Sequence, residues 1–342
     1  MTAPNADASV RYLFSPLKPL LSQEGVTELA INRENEVWLE KNGTWERHEV
    51  ELSFDTLMSM ATSVASYAEN TISVTNPILS SVLPDGERIQ FVIPPAVKPG
   101  MISVTIRKPG GMSRQLSDYQ ESGYFEHIQP ISNELKPLDI KLSKLLNDLK
   151  IEDFLRLAIE LEKTIVIAGG TGSGKTTFMK ALMELIPNNE RLITIEDVQE
   201  LFLPNHPNKV NLFYPSEATL DDPLNSAKLL KSCLRMKPDR MMLAELRGAE
   251  TFDFINIAAS GHGGSITSCH ANSAKMTFSR LALMVLQNPQ GRCIPYNVIL
   301  ELLYQVIDIV IHVDNDVHSA NPLGRHITEI YFDPQKQMGG MI

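Results

Sequence analysis

Residues 168 to 177 read AGGTGSGKTT, and their types and spacing are those of a phosphate-binding loop. Gly169, Gly174, Lys175 and Thr176 fit the pattern GxxxxGKS/T. Glycine lets backbone N–H groups turn inward around anionic oxygens, the lysine reaches the β- and γ-phosphates, and the hydroxyl after it is a ligand for Mg²⁺. The predicted nucleotide-binding residues of the loop are Gly170, Thr171, Gly172, Ser173, Gly174, Lys175, Thr176 and Thr177.

Acidic side chains and a histidine follow three other stretches that have the composition of buried strands. They are Glu196 and Asp197 after residues 192–195, Glu245 after residues 241–244, and His270 after residues 265–269. Ligands of open parallel sheets bind beyond the carboxyl ends of the strands. We therefore expect these side chains to converge on the phosphate-binding loop.

Hydrolysis of a γ-phosphoryl bond needs an oriented water, a base for its proton and cations that neutralise the transferring charge. Lys175 supplies the first cation. Glu196 and Glu245 are each candidates for the base or for the magnesium shell, and the residue types leave these two roles open. Asp197 joins Glu245 and Thr176 as a candidate metal ligand. The alternative for each acid is a helix cap or a solvated charge.

Further cations are available for the phosphate charge. His270 is a candidate γ-phosphate contact and His262, in a glycine-rich turn, is a weaker one; the alternative for each is a structural hydrogen bond. Arginines can neutralise transition-state charge within the chain or from a neighbouring subunit. The candidate arginines are Arg88, Arg107, Arg235, Arg240 and Arg247.

The elements on either side of the loop are those that the motif requires. Residues 164–168 form an apolar, β-branched run of strand length, and apolar residues recur at helical spacing from Phe178 until Pro187. A strand, the loop and a helix N-terminus then follow one another, which places free N–H groups at the phosphate site. Residues 151–342 alternate strands with helices, which predicts a mainly parallel sheet with helices on both faces.

The first part of the chain predicts a smaller α+β domain. Its predicted strands are residues 27–31, 37–40, 88–93 and 102–106, with a helix over residues 54–67 between the second and the third. The order β-β-α-β-β favours an antiparallel sheet with a helix packed on it. We expect a domain over residues 1–107, a linker with short helices over 108–150 that is broken at Gly111 and Pro130, and the second domain over 151–342.

The composition excludes several classes of protein. The chain of 342 residues is 43% hydrophobic and 21% charged, which is typical of about two globular domains. Its formal net charge of −10 gives no overall attraction to nucleic acid or to an anionic membrane. The three cysteines form no CxxC pair, so neither a disulfide framework nor a cysteine-rich zinc site is expected.

We expect a cytoplasmic protein with peripheral membrane contact. Residues 1–10 are polar and lack the basic and then apolar pattern of a signal peptide. The long apolar window over residues 296–313 is interrupted by polar side chains, so a helix followed by a buried strand explains it better than a membrane span.

Four sequence boxes occur in a fixed order: GGTGSGKTT, TIEDVQEL, LAELRGAET and GHGGSITSCHAN. Together they resemble the boxes of the secretion ATPases, most closely the traffic ATPases of bacterial type IV secretion systems, the VirB eleven-type proteins. The resemblance covers nearly the whole chain, because RIQFVIPP and SVTIRKP are similar to segments of that family's N-terminal domain.

The resemblance implies a RecA-like P-loop domain in a homo-hexameric ring, with nucleotide held between the two domains. It also implies ATP hydrolysis with Mg²⁺ that drives pilus assembly and substrate export or conjugation at the cytoplasmic face of the inner membrane. The implied partners are other ATPases and inner-membrane components of the machine, without sequence-specific nucleic-acid binding. The matching residues are Lys175 and Thr176 in the first box, Glu196 and Asp197 in the second, Glu245 in the third, His270 in the fourth, and more weakly Arg88 and Arg107.

Two features of the sequence bear on the subgroup. Glu245 replaces the usual Asp of a generic Walker B strand, which agrees with the secretion group, and the lack of a CxxC pair disfavours relatives that carry a zinc module.

Three alternatives stay open on the sequence. A pilus-retraction ATPase shares the same boxes. A nucleic-acid translocase would need basic residues interleaved with aromatics, and the aromatic content is 6%. A small-molecule kinase would need an acceptor pocket that nothing in the first domain marks.

Overall fold

The computed structural model of the chain describes residues 7–110, 115–128, 134–317, 319 and 322–337. Its first sheet has six antiparallel strands in the order β3-β2-β1-β6-β5-β4. These strands are β1 (Val26–Ile31), β2 (Glu36–Lys41), β3 (Thr44–Glu49), β4 (Ile78–Val82), β5 (Arg88–Val92) and β6 (Ser103–Arg107). The helices of this part are α1 (Ala8–Leu13), α2 (Lys18–Leu21) and α3 (Phe54–Tyr67), with a 3-10 turn over Ser15–Leu17.

The helix α3 shows why this part folds as predicted. The Ser53 hydroxyl accepts a hydrogen bond from the Thr56 N–H, which caps the helix at its N-terminus. Its apolar side chains Leu57, Met60 and Val64 are buried against the sheet. The predicted order β-β-α-β-β was too short, because the edge strands β3 and β4 and the two opening helices were not foreseen. The outer strand β3 buries none of its residues fully, so its pattern carries no apolar alternation.

The predicted linker holds two helices in the part that the structure describes, α4 (Leu116–Glu121) and α5 (Pro137–Asn147). Leu142 of α5 is buried in a core that belongs to the second sheet. Gly111 and Pro130, on which part of the linker prediction depends, lie outside the described residues.

The second sheet has seven strands in the order β13-β12-β7-β11-β10-β8-β9. They are β7 (Ile165–Ala168), β8 (Leu192–Glu196), β9 (Lys209–Phe213), β10 (Arg240–Leu246), β11 (Ile266–Cys269), β12 (Ile309–Asp316) and β13 (Gly324–Phe332). Every neighbouring pair is parallel except β12 with β13, which is antiparallel. The predicted mainly parallel sheet is therefore confirmed.

Helices cover both faces of this sheet. They are α6 (Ile151–Glu160), α7 (Lys175–Met183), α8 (Ser226–Cys233), α9 (Glu250–Ala259), α10 (Ala274–Val285), α11 (Tyr296–Val306) and α12 (Pro334–Gln337), with a 3-10 turn over Gly291–Cys293. Ile165 and Ile167 of β7 pack with α6 and α7 on one face, while Val166 and Ala168 pack with α8 to α11 on the other. This strand is apolar throughout because both of its faces are buried.

The apolar window over residues 296–313 forms α11 and most of β12, as predicted. In the stretches that the structure describes, no helix has both the length and the apolar character needed to cross a membrane.

Two edges of the seven-stranded sheet matter for function. We call them the amino edge, where its parallel strands begin, and the carboxyl edge, where they end. The first sheet contacts the amino edge through polar side chains: Gln90 Nε2 donates to Ser232 Oγ at 2.8 Å, and Trp45 Nε1 donates to Asp239 Oδ2 at 3.1 Å. Both acceptors lie shortly before β10.

Candidate functional site

The phosphate-binding loop joins β7 to α7 at the carboxyl edge. Gly172 and Gly174 have φ angles of 78° and 93°, a left-handed region that glycine enters without steric cost. A Cβ at Gly169 would lie 2.3 Å from the Val313 backbone oxygen, so no larger residue fits there. The helix begins at Lys175. The strand, loop and helix context predicted for the motif is confirmed.

Lys175 is held against the loop from which it emerges. Its Nζ donates to the backbone oxygens of Gly169 at 3.0 Å and Gly170 at 2.9 Å, and the residue is only 9% exposed. Burial lowers the pKa of Lys175, while the nearby Glu245 carboxylate opposes that change. The Ser173 hydroxyl also donates to the Gly170 oxygen, at 2.9 Å. The ammonium group therefore lies at the mouth of the loop, close to Glu245 near the end of β10.

Four side chains from three strand ends form one cluster at the carboxyl edge. Arg247 donates from Nε to Glu245 Oε2 at 2.7 Å and from Nη1 to Asp197 Oδ2 at 2.5 Å. His270 Nε2 lies 2.8 Å from Glu245 Oε1. The structure thus brings together Glu245, His270 and Asp197, which follow three of the predicted strands, and places Arg247 with them.

The charges of this cluster depend on one another. Burial alone would raise the pKa of Asp197, but the hydrogen bond and charge of Arg247, together with backbone N–H donors, outweigh burial and hold that pKa below its usual range. Partial burial would lower the pKa of Arg247, yet hydrogen bonds to Glu245 and Asp197 raise it above its usual value. Because Arg247 donates to one oxygen of Asp197, the main interaction of this carboxylate is its ion pair with the arginine.

Glu196 has a different environment from Glu245, although both follow buried strands. It is 0% exposed. Its Oε1 accepts from the Thr194 hydroxyl at 2.7 Å, and its Oε2 accepts from the backbone N–H groups of Glu200 and Leu201 at 2.8 and 2.7 Å. Burial raises its pKa, and these hydrogen bonds oppose that rise. The structure does not bring Glu196 to the phosphate-binding loop; the carboxylate instead fixes the segment that comes after it.

Two of the predicted cations lie at the amino edge, away from the loop. Arg240 opens β10 and is buried, with Nε and Nη2 donating to the Glu190 carboxylate at 2.5 and 2.8 Å. His262 precedes β11, and burial lowers its pKa. Since β10 and β11 run parallel to β7, their beginnings are at the opposite edge from the loop. Neither residue belongs to the cluster.

Three other predicted arginines meet one another rather than the loop. Arg88, Arg107 and Arg235 line a cavity of about 350 Å³ between the first sheet and the segment before β10. All three are exposed, and Arg107 Nε lies 3.4 Å from Glu28 Oε1. The cavity lies beside the segment before β10, at the amino edge, whereas the phosphate-binding loop lies at the carboxyl edge.

Two cavities flank the loop, and the sequence analysis foresaw neither. One of about 300 Å³ lies beside the start of α7. It is lined by Ser173, Gly174, Thr177, Phe178, Ala181, Val313, Arg325, His326 and Ile327. The other, of about 290 Å³, lies beside His270 and includes Arg280 of α10. The sequence pattern does not indicate Arg280, because this residue comes to the same cavity as Gly169 and Gly170 only through the packing of α10.

A mainly parallel sheet with helices on both faces, a glycine loop at a helix N-terminus and an acid at the end of another strand of the same sheet define a P-loop nucleotide-binding domain of the RecA-like type. Comparison with known proteins agrees. The family model described as Type II/IV secretion system protein matches residues 13–312.

Curated relatives are similar over nearly all of the chain. The type IV secretion system protein VirB11 of Brucella abortus biovar 1 (strain 9-941) is 55% identical over 330 residues, which cover 96% of this chain and 91% of the relative. The type IV secretion system protein PtlH of Bordetella pertussis (strain Tohama I) is 40% identical over 336 residues, covering 96% and 97%.

A solved structure is similar as well. The crystal structure of the VirB11 ATPase from the Brucella suis type IV secretion system, in complex with sulphate, superposes with a TM-score of 0.93 at 53% identity, covering 97% of each chain. The chain therefore belongs to the Type II/IV secretion system protein family, as a VirB11-type ATPase of a type IV secretion system. The resemblance found in the sequence boxes and the predicted fold class are confirmed.

Proposed function

We propose that this chain hydrolyses Mg-ATP to drive pilus biogenesis and the transfer of DNA or protein substrates, from the cytoplasmic face of the inner membrane. The observation that carries the proposal is the convergence of Lys175, Glu245, Arg247 and His270 at one edge of the parallel sheet. Hydrolysis of a phosphoanhydride requires a cation, an acid and a polar contact near one point. The family relation supplies the setting in a secretion machine.

The loop fits a phosphate chain. Nothing lies within 4 Å of a Cβ built at Gly170 or Gly172, so phosphate oxygens can approach their backbone N–H groups. The largely apolar cavity beside Phe178 suits the adenine ring of the nucleotide. Magnesium, when bound, neutralises phosphate charge and orients the terminal group. Thr176, at the start of α7, and Glu245 are the residues that would hold it, whereas Asp197 acts through Arg247.

We assign the acid of the reaction to Glu245 rather than to Glu196. Glu245 lies near Lys175, and His270 is 2.8 Å from its Oε1. Glu196 is buried, and the chain's own donors bond both of its oxygens. A base must come within hydrogen-bond reach of the attacking water, and Glu245, near Lys175 and only partly buried, suits this better than the fully buried Glu196. His270 would then contact the γ-phosphate.

We further propose a homo-hexameric ring in which Arg88 and Arg107 act on the nucleotide of a neighbouring subunit. Their exposure, and their distance from the loop of their own chain, support an action across an interface. The ring would be built from domains over residues 1–107 and 151–342, joined by the linker 108–150. Its partners would be other ATPases and inner-membrane components of the machine, with peripheral membrane contact.

Replacement of the wild-type protein by Lys175→Ala in the bacterium that carries it tests this function. We expect loss of pili and of substrate transfer at an unchanged protein level, because the cation on the phosphates is gone. Lys180→Ala on the same helix, outside the loop, is the control and should transfer normally. Normal transfer with Lys175→Ala would contradict the proposal.

The translocase alternative makes its own prediction for purified protein. A nucleic-acid translocase hydrolyses ATP faster when single-stranded DNA is present. We expect a rate that DNA leaves unchanged, since the chain carries a net charge of −10. Strong stimulation by DNA would favour the translocase.

A further inference from the structure

We propose that Arg280 is a further cation of the nucleotide site, which contacts the terminal phosphate of ATP and retains inorganic phosphate after hydrolysis. This inference depends on the proposed function, because it takes the loop at Gly169 to Thr176 as the site of the phosphates. It adds a ligand for one particular group, the terminal phosphate, to that site.

The position of Arg280 is the first argument. The residue belongs to α10, the helix that follows His270, and it lines the cavity of about 290 Å³ together with Gly169, Gly170 and His270. The remaining lining residues, Ala271, Asn272 and Met276, carry no charge. Among the residues that line the cavity, Arg280 is therefore the permanent cation beside the first glycines of the loop.

Electrostatic proximity is the second argument. Cys269 is buried at the end of β11, and burial raises the pKa of its thiol to about 12. The positive charge of Lys175 opposes this rise, and that of Arg280 does so more weakly. The two cations thus act on the same strand end, one from the loop helix α7 and the other from α10.

The lack of a counterion is the third argument. Arg247 pairs with two carboxylates and Arg240 with one, at distances between 2.5 and 2.7 Å. Within the described ranges, no carboxylate forms an ion pair with Arg280. Arg280 is exposed and lines a cavity next to the phosphate-binding loop, and a guanidinium without an acidic partner can bind an anion there.

The chemistry of hydrolysis gives this cation a task. Charge accumulates on the oxygens of the transferring phosphoryl group, and arginines neutralise it in phosphate-transferring sites. Arg280 would do so from the same chain, at the side of the loop where His270 lies. Inorganic phosphate carries the same oxygens, so the same contact would slow its release.

Binding of two nucleotide forms separates this role from a structural one. We would measure the affinities of ADP and of ADP with beryllium fluoride, which occupies the place of the terminal phosphate, for wild type, Arg280→Ala and Arg280→Lys. We expect Arg280→Ala to keep its affinity for ADP within about 2-fold and to lose about 10-fold or more for the fluoride complex, with Arg280→Lys in between. Lys275→Ala, an exposed cation on the same helix outside the cavity, is the control.

Steady-state kinetics gives a second readout on the same variants. We expect kcat of Arg280→Ala to fall about 100-fold or more while KM changes little, and inhibition by added inorganic phosphate to weaken. Unchanged affinity for the fluoride complex, or an equal loss for both nucleotide forms, would overturn the inference. If the wild-type protein itself failed to bind ADP, the proposed site of the phosphates would be wrong, and the error would not lie in Arg280 alone.

Discussion

The two edges of the seven-stranded sheet carry the same kinds of side chain in opposite surroundings. At both edges arginines meet acids or amides at hydrogen-bond distance. At the amino edge Arg191 and Arg240 are buried, whereas at the carboxyl edge Arg247 is half exposed and pairs with Glu245, which lies near Lys175 of the phosphate-binding loop. The strand β8 joins the two, because Arg191 precedes it and Asp197 follows it.

Arg191 shows what the amino edge does. It is 0% exposed, with Nε donating to the Met236 backbone oxygen at 2.9 Å and Nη1 donating to Asn32 and Asn208 at 2.7 and 2.6 Å. Its guanidinium also lies 5.5 Å from the centre of the Trp45 ring. Burial lowers the pKa of Arg191 to about 10. Since Asn32 directly follows β1 and Trp45 lies in β3, this arginine joins the two sheets.

Arg247 shows the opposite case. Half of its side chain is exposed, and its two carboxylate partners come from the ends of β8 and β10. A cluster that water and ligand can reach is able to exchange partners, which a buried one is not. Burial, more than residue type, thus separates a structural arginine from a functional one in this molecule.

The largest effect that we expect on folding comes from Arg191→Leu. The change leaves several buried acceptors without their hydrogen-bond donor, so the free energy of unfolding should fall by about 3 kcal/mol or more. Urea denaturation measures this loss. The control is Arg156→Ala, which breaks an exposed pair with Glu152 and should cost less than about 1 kcal/mol. A loss as small as that of the control would remove the difference between the two edges.

Arg247→Lys should show the reverse pattern, with a smaller effect on folding. Lysine keeps the charge but cannot fork between two carboxylates, so turnover should fall about 10-fold or more while the free energy of unfolding changes by less than about 1 kcal/mol. ATP hydrolysis and urea denaturation give the two numbers. Arg292→Lys, in an exposed turn, is the control. If Arg247→Lys were destabilised as strongly as Arg191→Leu, the cluster would be structural.

Much of the second domain could be predicted because its strands are buried on both faces. β7 and β8 are buried along their full length, and the glycine loop requires a helix directly after the first of them. The outermost strand β9 alternates buried with partly buried residues, and the other outermost strand β13 has no fully buried residue, so both give a weaker pattern. Which strands lie outermost depends on how the sheet assembles, and this cannot be read from the spacing of residues in the sequence.

The candidate site could be predicted only as far as strand ends determine it. Glu245 lies near Lys175, and His270 lines a cavity with Gly169 and Gly170, because parallel strands end at one edge; the roles of the two residues stay predictions. The role of Glu196 could not be predicted, since its partner Leu201 comes to it through the path of a loop. The place of Arg88 could not be predicted either, because it depends on how the two domains pack.

The comparison of Glu245 with Glu196 tests the central claim most directly. We would measure ATP turnover and nucleotide affinity for Glu245→Gln and Glu196→Gln side by side. The account predicts that Glu245→Gln binds nucleotide normally and loses turnover by about 100-fold or more, whereas Glu196→Gln keeps turnover within about 10-fold and loses stability. Normal turnover in Glu245→Gln together with loss of turnover in a folded Glu196→Gln protein would contradict the account and move the reaction to the buried acid.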